Sequence, residues 1–179
     1  SMNTVLTQEV LRYNKLINVF GFHLEELKKA LKGEVGISEE LESIIQSLSL
    51  GLVPSVWHYP LGFLSLKPLG SWLEEFLERI KFLNTWIDKG KPPVFWFSGF
   101  FFPQAFITGT LQNYSRKKSI AIDRVTFKYI VRDDLNLETA LSPSEEGVLI
   151  HGMFIEGAAW NQKSHLVDDP IPKQLYAPL

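Results

Sequence analysis

Nine consecutive residues near the middle of the chain, Val94 to Phe102, read VFWFSGFFF and include five phenylalanines and one tryptophan. A folded protein buries most of such a run, because each aromatic side chain covers a large apolar area. Pro103 follows, and proline suits the first turn of a helix, where no backbone N–H is needed. The run therefore predicts a buried aromatic strand or turn that leads directly into a helix. We call residues 94–102 the aromatic turn.

A first long helix is predicted over residues 9–32, where apolar residues recur every three or four positions. Gly33 is a natural end for it, since glycine readily adopts the left-handed conformation that terminates helices. The apolar side chains share one face, and that face is longer than a small domain can cover. They form a candidate docking face: Tyr13, Ile17, Phe20, Leu24, Leu27 and Leu31.

Three further helices are predicted from their end signals. Ser38 suits the N-cap of a second helix, with glutamates in its first turn. Ser71 and Glu74 have capping-box spacing and predict the start of a third helix that runs to about Lys89. The fourth helix follows the aromatic turn and ends in the basic triplet of residues 116–118, where cations favour the helix dipole.

The pattern changes beyond Ser119. Residues 125–131 alternate between apolar and polar side chains, as in a half-buried strand, and residues 148–155 predict one or two strands broken at Gly152. Another short strand is predicted over residues 165–167, and residues 133–147 read as a polar loop. Helices therefore come first and strands second, which is an α+β order.

The predicted architecture is an N-terminal helical bundle followed by a small antiparallel β-sheet or partial barrel. A length of 179 residues suits one domain or two small subdomains that share a core. We expect a helical subdomain over residues 1–119, which includes the aromatic turn, and a β subdomain over residues 120–179.

Composition narrows the classes of partner. The net charge of −2 provides no general basic field to attract nucleic acid. The sequence has no cysteine, which excludes disulfides and thiolate metal sites, and no apolar run is long enough to cross a bilayer. Neither a nucleic acid nor a membrane is expected as a partner.

No motif in the sequence predicts catalysis. The phosphate-binding glycine loop, the dinucleotide fingerprint and the metalloprotease helix motif are all absent from it. Ser98 lacks the leading glycine of a nucleophile elbow, because position 96 is Trp. A hydroxyl that bonds a nearby N–H is the simpler interpretation of Ser98, and a hydrolase that pairs it with a histidine is the weaker alternative.

The remaining polar candidates also have simple interpretations. The four histidines are scattered, although a metal shared by the last two is an alternative: His23, His58, His151 and His165. The acidic pairs lie in predicted loops as solvated charge: Asp133 and Asp134, Glu145 and Glu146, and Asp168 and Asp169. The basic triplet suits a helix end, with contact to phosphate or an acidic protein as the alternative. No catalytic, cofactor-binding or metal-binding residue is predicted.

Longer motifs give a more specific indication. The pattern W-x-S-G-F-x-F-P-Q from Trp96, followed by L-Q-N-x-x-R-K from Leu111, resembles the C-terminal domain of dynein heavy chains, and of axonemal (ciliary) ones in particular. Other segments are similar to the same domain in the same order along nearly the whole sequence: residues 9–16, 31–33, 38–42, 53–57, 65–72, 82–88, 147–160 and 172–176.

This resemblance implies a non-catalytic domain that packs on the ATPase ring of its own heavy chain and modulates a minus-end-directed microtubule motor of cilia and flagella. ATP and Mg would then belong to the ring and not to this segment. The expected partners are the ring modules and, through the parent protein, other dynein subunits and microtubules. The expected location is the cytoskeleton of the cytoplasm and the axoneme of the cilium, in an inner or an outer arm.

Two further expectations qualify this interpretation. The sequence stops at Leu179, where the family continues through further strands, so we expect a barrel truncated at its C-terminal end, with an open strand edge. Such an edge would favour self-association of the isolated domain. The alternative function is a free-standing scaffold or protein-interaction domain with the same fold.

Overall fold

A computed structural model describes residues 2–58, 61–63, 65–132, 147–174 and 176–178. The described helices are α1 (Met2–Leu31), α2 (Glu39–Ser49), α3 (Leu69–Lys89) and α4 (Pro103–Lys118). The described strands are β1 (Val94–Trp96), which precedes α4, then β2 (Leu149–His151), β3 (Phe154–Glu156), β4 (Ala159–Asn161), β5 (Leu166–Asp168) and β6 (Tyr176–Pro178). This order confirms the predicted α+β class.

The protein forms two compact units. The first unit is Leu6–Asn84 and the second is Thr85–Leu179 together with Ser1–Val5. The two subdomains predicted from the sequence, residues 1–119 and 120–179, divide the sequence by type of secondary structure. That division stays a prediction.

The first unit is built around an aromatic cluster between α1 and α3. Trp72 and Phe76, one turn apart on α3, stack with their rings 5.7 Å apart, and both are buried. Phe20 of α1 meets both of them edge-on, at 5.2 Å from Phe76 and 5.3 Å from Trp72. Phe63 stacks on Trp72 at 5.3 Å, which brings the connection between α2 and α3 into the same cluster.

The second unit is built on the aromatic turn, for which the sequence predicts burial. Phe95 and Phe100 are buried and pack against Phe106 of α4, at 4.8 Å and 4.7 Å between ring centroids. Trp86, at the end of α3, meets Phe95 edge-on at 5.1 Å. The turn contains β1 and a single 3₁₀ turn over Phe97–Gly99, and α4 begins at Pro103.

The helix ends partly match their predictions. Ser38 is the N-cap of α2, since its hydroxyl accepts a hydrogen bond from the Leu41 N–H at 3.2 Å. The capping box predicted at Ser71 is wrong, because the Trp72 N–H already donates to the Pro68 carbonyl at 2.9 Å and the helix begins at Leu69.

Helix α1 begins at Met2 and not at Glu9. Its first turns carry the buried side chains of Met2 and Val5, which extend the apolar face backwards with helical spacing. The sequence pattern therefore predicts the helix correctly but misses its residues 2–8.

The strands form three two-stranded pairs and, within the described ranges, no closed barrel. β3 pairs with β6 and β4 with β5, both antiparallel as predicted. β1 pairs with β2 in parallel, with Phe95 opposite Ile150, which differs from the antiparallel arrangement that we predicted. Gly152 has a φ of +75°, which interrupts the extended conformation and separates β2 from β3, as predicted.

The strand predicted over residues 125–131 is wrong. This segment follows a 3₁₀ turn over Ile122–Arg124 and pairs with no strand among the described residues. Its alternation persists only in the first four residues, where Val125 and Phe127 are half-buried and Thr126 and Lys128 are exposed, whereas residues 129–131 are all exposed. Apolar alternation predicts which side chains face inward, but a strand also needs a partner for its backbone groups. The polar loop predicted at residues 133–147 lies, except for Gly147, outside the described residues.

Candidate interaction surfaces

The predicted docking face of α1 divides into an inner and an outer part. Tyr13 is only 1% exposed, and its ring centroid lies 6.1 Å from that of Phe76. Phe20 lies 4.5 Å from Trp57 and also contacts the α3 aromatics. These two side chains pack within the first unit, and their part in an external docking face stays a prediction.

The outer part is a straight line of exposed side chains. Ile17, Leu24 and Leu31 are spaced seven residues apart, which places them on one side of a helix. Their exposed fractions are 40%, 50% and 78% respectively. Leu27 is half-buried between the two parts. We call Ile17, Leu24 and Leu31 the outer stripe, and it is the part of the predicted face that remains available for a partner.

Helix α3 also exposes apolar side chains. Leu73 and Leu77 are one turn apart and exposed, whereas Trp72 and Phe76 beside them are buried. The apolar face of α3 is therefore wider than the core beneath it. Exposed apolar area of this kind on a surface helix is a common property of docking surfaces.

Charged groups lie beneath the contact between α1 and α3. The Arg79 guanidinium is buried and bonds the Glu75 carboxylate, while its Nη1 donates to the Tyr13 hydroxyl at 3.3 Å. Lys67 Nζ lies 2.7 Å from the other Glu75 oxygen. Arg79 also lies over the Phe63 ring at 4.0 Å. Sequence analysis missed this cluster, because residues 75 and 79 read as ordinary surface charges at helical spacing.

These contacts explain two shifts in pKa. Burial raises the pKa of Tyr13 to about 12, although the charge of Arg79 opposes the shift. Burial also disfavours the Glu75 carboxylate, but hydrogen bonds from Lys67 and Arg79 outweigh that effect and lower its pKa. The cluster is thus an ionised, hydrogen-bonded contact that fixes the register of α1 against α3.

His23 supports the same unit from another side. Its Nδ1 accepts a hydrogen bond from the Trp57 indole N–H at 2.9 Å, so its Nε2 carries the proton in the neutral ring. That nitrogen lies 3.7 Å from Glu40 of α2. A shallow cavity of about 500 Å³ opens beside these groups. His23 thus connects α1 with α2 and with the segment that contains Trp57. This is a structural role, as expected for a histidine outside any motif.

In the second unit, Trp96 is held between two glycines. A Cβ atom added at Gly99 would lie 2.7 Å from the indole ring, and one at Gly152 would lie 2.7 Å from the indole Cδ1 and 2.8 Å from Ser98 Oγ. His151 stacks on Trp96 at 6.4 Å, and burial lowers the pKa of this histidine. The close approach of the indole explains why the W-x-S-G motif needs glycine at its fourth position.

A groove of about 780 Å³ runs along the second unit. Its lining is mainly apolar and includes Phe97, Phe106 and Leu111. Residues 124–132 also line it and contribute the basic side chains of Arg124, Lys128 and Arg132. The groove therefore combines an apolar lining with three cationic side chains.

The remaining polar candidates are accounted for one by one. Asp168 ends β5 and does not lie in the predicted loop. Its exposed carboxylate accepts hydrogen bonds from the Asn161 side chain and from the Asp169 N–H, which lower its pKa. The acidic pairs at residues 133–134 and 145–146 lie outside the described residues. Within the described ranges, no group of three or more metal-binding side chains forms, and no helix is long and apolar enough to cross a membrane.

The fold and these surfaces define a class of protein: an α+β domain with an aromatic core in each unit and apolar side chains exposed on its helices and along a groove. The family follows from comparison with known proteins. The family model for the C-terminal domain of the dynein heavy chain matches residues 1–179. This protein belongs to that family, which confirms the resemblance seen in the aromatic turn.

Individual relatives agree with the family. The sequence is 49% identical over 98% of its length to dynein axonemal heavy chain 1 of Mus musculus and 48% identical over 98% to dynein axonemal heavy chain 12 of Rattus norvegicus. It is 45% identical over its full length to dynein axonemal heavy chain 3 of Homo sapiens. The 179 residues span only 4% to 6% of the length of these relatives.

Proposed function

We propose that these 179 residues form a non-catalytic C-terminal domain of an axonemal dynein heavy chain, which packs on the ATPase modules of the same heavy chain and modulates a minus-end-directed microtubule motor in cilia or flagella. The observation that carries the proposal is the family match over all 179 residues, with nearly half of the residues identical in axonemal heavy chains. ATP and Mg would be bound by the ring.

The surfaces of the first unit support a docking role. The outer stripe is exposed although its leucines would each gain from burial, by roughly 1.5–3 kcal/mol for a fully buried leucine. The core of the unit does not need these residues, because Tyr13 and Phe20 already meet α3 and Leu16 is fully buried. An apolar line that the unit itself does not need is best explained by a partner surface.

The test uses a full-length axonemal heavy chain that includes this domain, with the double substitution Leu24→Glu and Leu31→Glu. Burying an unpaired carboxylate in an apolar contact costs more than about 2 kcal/mol, so we expect the domain to loosen from the ring and microtubule-stimulated ATPase activity to fall several-fold. Asn18→Glu adds a negative charge at an exposed position away from the stripe and is the control.

The isolated 179-residue domain should keep its unfolding midpoint in both variants, because all three positions are exposed. Unchanged coupling in the Leu24 and Leu31 variant, with the domain still folded, would refute docking through the outer stripe. The alternative of a free-standing scaffold domain is distinguished by the natural polypeptide, which would then lack ATPase modules upstream.

A further inference from the structure

The end of α4 carries a pattern that occurs once in the sequence. Arg116, Lys117 and Lys118 come directly before Ser119, and Ile120 follows it. Among all serines and threonines of the sequence, Ser119 is the only one with a basic residue three positions before it, and it also has lysines at the two positions between. A hydroxyl that follows clustered cations in this way is the preferred substrate of basophilic serine/threonine kinases, whose peptide-binding grooves carry carboxylates.

The structure presents this serine to solvent. Residues 116–124 are all exposed. Ser119 is the C-cap of α4 with a left-handed φ of +55°, and its N–H donates to the Arg116 carbonyl at 3.3 Å. No hydrogen bond to its hydroxyl is found among the described residues, so the nucleophilic oxygen is not held by an internal partner there.

The local backbone can reach a kinase groove at small cost. Such kinases bind their substrates in extended form, and only the last turn of α4 needs to unwind to bring Arg116 into that form. Helix ends fray readily, and this last turn is exposed. Beyond Ser119 there is only one 3₁₀ turn before residues 125–132, which have no regular secondary structure.

We propose that Ser119 is a phosphorylation site for a basophilic serine/threonine kinase. In the reaction the Ser119 Oγ attacks the γ-phosphorus of ATP, and the bond from that phosphorus to the β–γ bridging oxygen breaks. The hydroxyl proton passes to the base of the kinase and ADP leaves, so the serine becomes a phosphate monoester.

The modification changes the charge of the groove in the second unit. Residues 116–132 contain six basic residues and one acidic residue, a net charge of +5. A phosphoserine adds about −1.5 to −2 near pH 7, which removes roughly a third of that charge. Arg124, Lys128 and Arg132 line the groove, so phosphorylation weakens its attraction for acidic partners.

The experiment incubates the folded 179-residue domain, and separately a full-length heavy chain that includes it, with ATP and the catalytic subunit of cyclic-AMP-dependent protein kinase. Peptide mass spectrometry then locates the phosphate. We expect Ser119 to be the principal site in both proteins, and Ser119→Ala to abolish incorporation there. Arg116→Gln should lower the initial rate about tenfold, because a charge-assisted contact to the kinase is lost.

Ser164→Ala is the matched control. Ser164 is exposed and follows Lys163, but Asn161 stands three positions before it, so this variant should be phosphorylated as fully as the unsubstituted protein. Circular dichroism checks that Ser119→Ala and Arg116→Gln remain folded. Equal labelling of the Ser119→Ala variant, or labelling of the isolated domain without labelling of the full-length heavy chain, would overturn the proposal. Both outcomes are independent of whether the outer stripe docks on the ring.

Discussion

At the scale of single residues, the W-x-S-G motif of the aromatic turn packs directly against Gly152, which lies more than fifty positions later in the sequence. Gly152 has a positive φ, and a methyl group there would lie 2.7 Å from the Trp96 indole. Gly152→Ala should therefore destabilise the fold by about 2–4 kcal/mol, from backbone strain together with overpacking. Urea denaturation measures the free energy of unfolding.

A double-mutant cycle with Trp96→Ala separates the two causes. Removing the indole relieves the contact but leaves the backbone strain, so Gly152→Ala should cost less in that background. Gly36→Ala is the matched control, since no atom lies within 4 Å of the added carbon. An equal cost of Gly152→Ala with and without Trp96 would show that the indole contact does not matter.

The same site shows how far the sequence predicts individual residues. The aromatic turn predicts a buried cluster, and Phe95 and Phe100 confirm it. The same run predicts burial for Trp96, but Trp96 is half-buried, so Trp96→Ala should cost less than the ~3–5 kcal/mol of a fully buried large aromatic. The sequence cannot show which face of this three-residue strand points inward, because Phe95 and Trp96 are both large aromatics.

At the scale of elements, the contact between α1 and α3 should depend on pH through Glu75. The pKa of Glu75 is lower in the folded protein than its ordinary value of 4.5. Its stabilising effect is therefore complete above that value and is lost as the pH falls through the folded-state pKa. Glu75→Gln should cost roughly 1.5–3 kcal/mol near neutral pH, because the buried Arg79 loses an ionic hydrogen-bond partner.

The difference in unfolding free energy between the unsubstituted protein and Glu75→Gln should then shrink as the pH is lowered below 4.5 and through the lower folded-state pKa of Glu75. Glu78→Gln is the matched control, because Glu78 lies on the same helix, is exposed and lies 3.8 Å from Lys81 in a surface pair. A pH-independent difference for Glu75→Gln would mean that the cluster contributes through packing and not through charge.

Local chemistry predicted two helix starts correctly and one, the capping box at Ser71, wrongly, whereas strand pairing was predicted least well. The Ser38 cap and the Pro103 start of α4 depend on neighbouring backbone groups, and both are confirmed. The parallel pairing of β1 with β2 joins residues more than fifty positions apart, and no local pattern specifies its direction. Residues 125–131 have strand alternation without a described partner strand, for the same reason.

At the scale of the whole molecule, the docking face stays a prediction, and the sequence alone does not divide it into inner and outer parts. An apolar stripe shows which helix face prefers burial, but it does not distinguish a face covered by the same polypeptide from one covered by a partner. Tyr13 and Phe20 meet α3, while Leu24 and Leu31 remain exposed on the same helix. That distinction depends on where α3 lies along α1, which is a tertiary property.

The isolated domain should bind no ATP at a dedicated site, because the sequence lacks a glycine loop whose backbone N–H groups could hold the phosphates. The cations of residues 116–132 would still attract a polyanion weakly. Titration calorimetry at about 0.15 M salt, where such attraction is screened, should detect no binding tighter than about 100 µM.

A full-length heavy chain is the positive control. A variant with Arg116, Lys117 and Lys118 replaced by glutamine should lose any residual binding seen at low salt. Salt-resistant, micromolar binding that survives this triple replacement would refute the idea that nucleotide chemistry lies outside this domain.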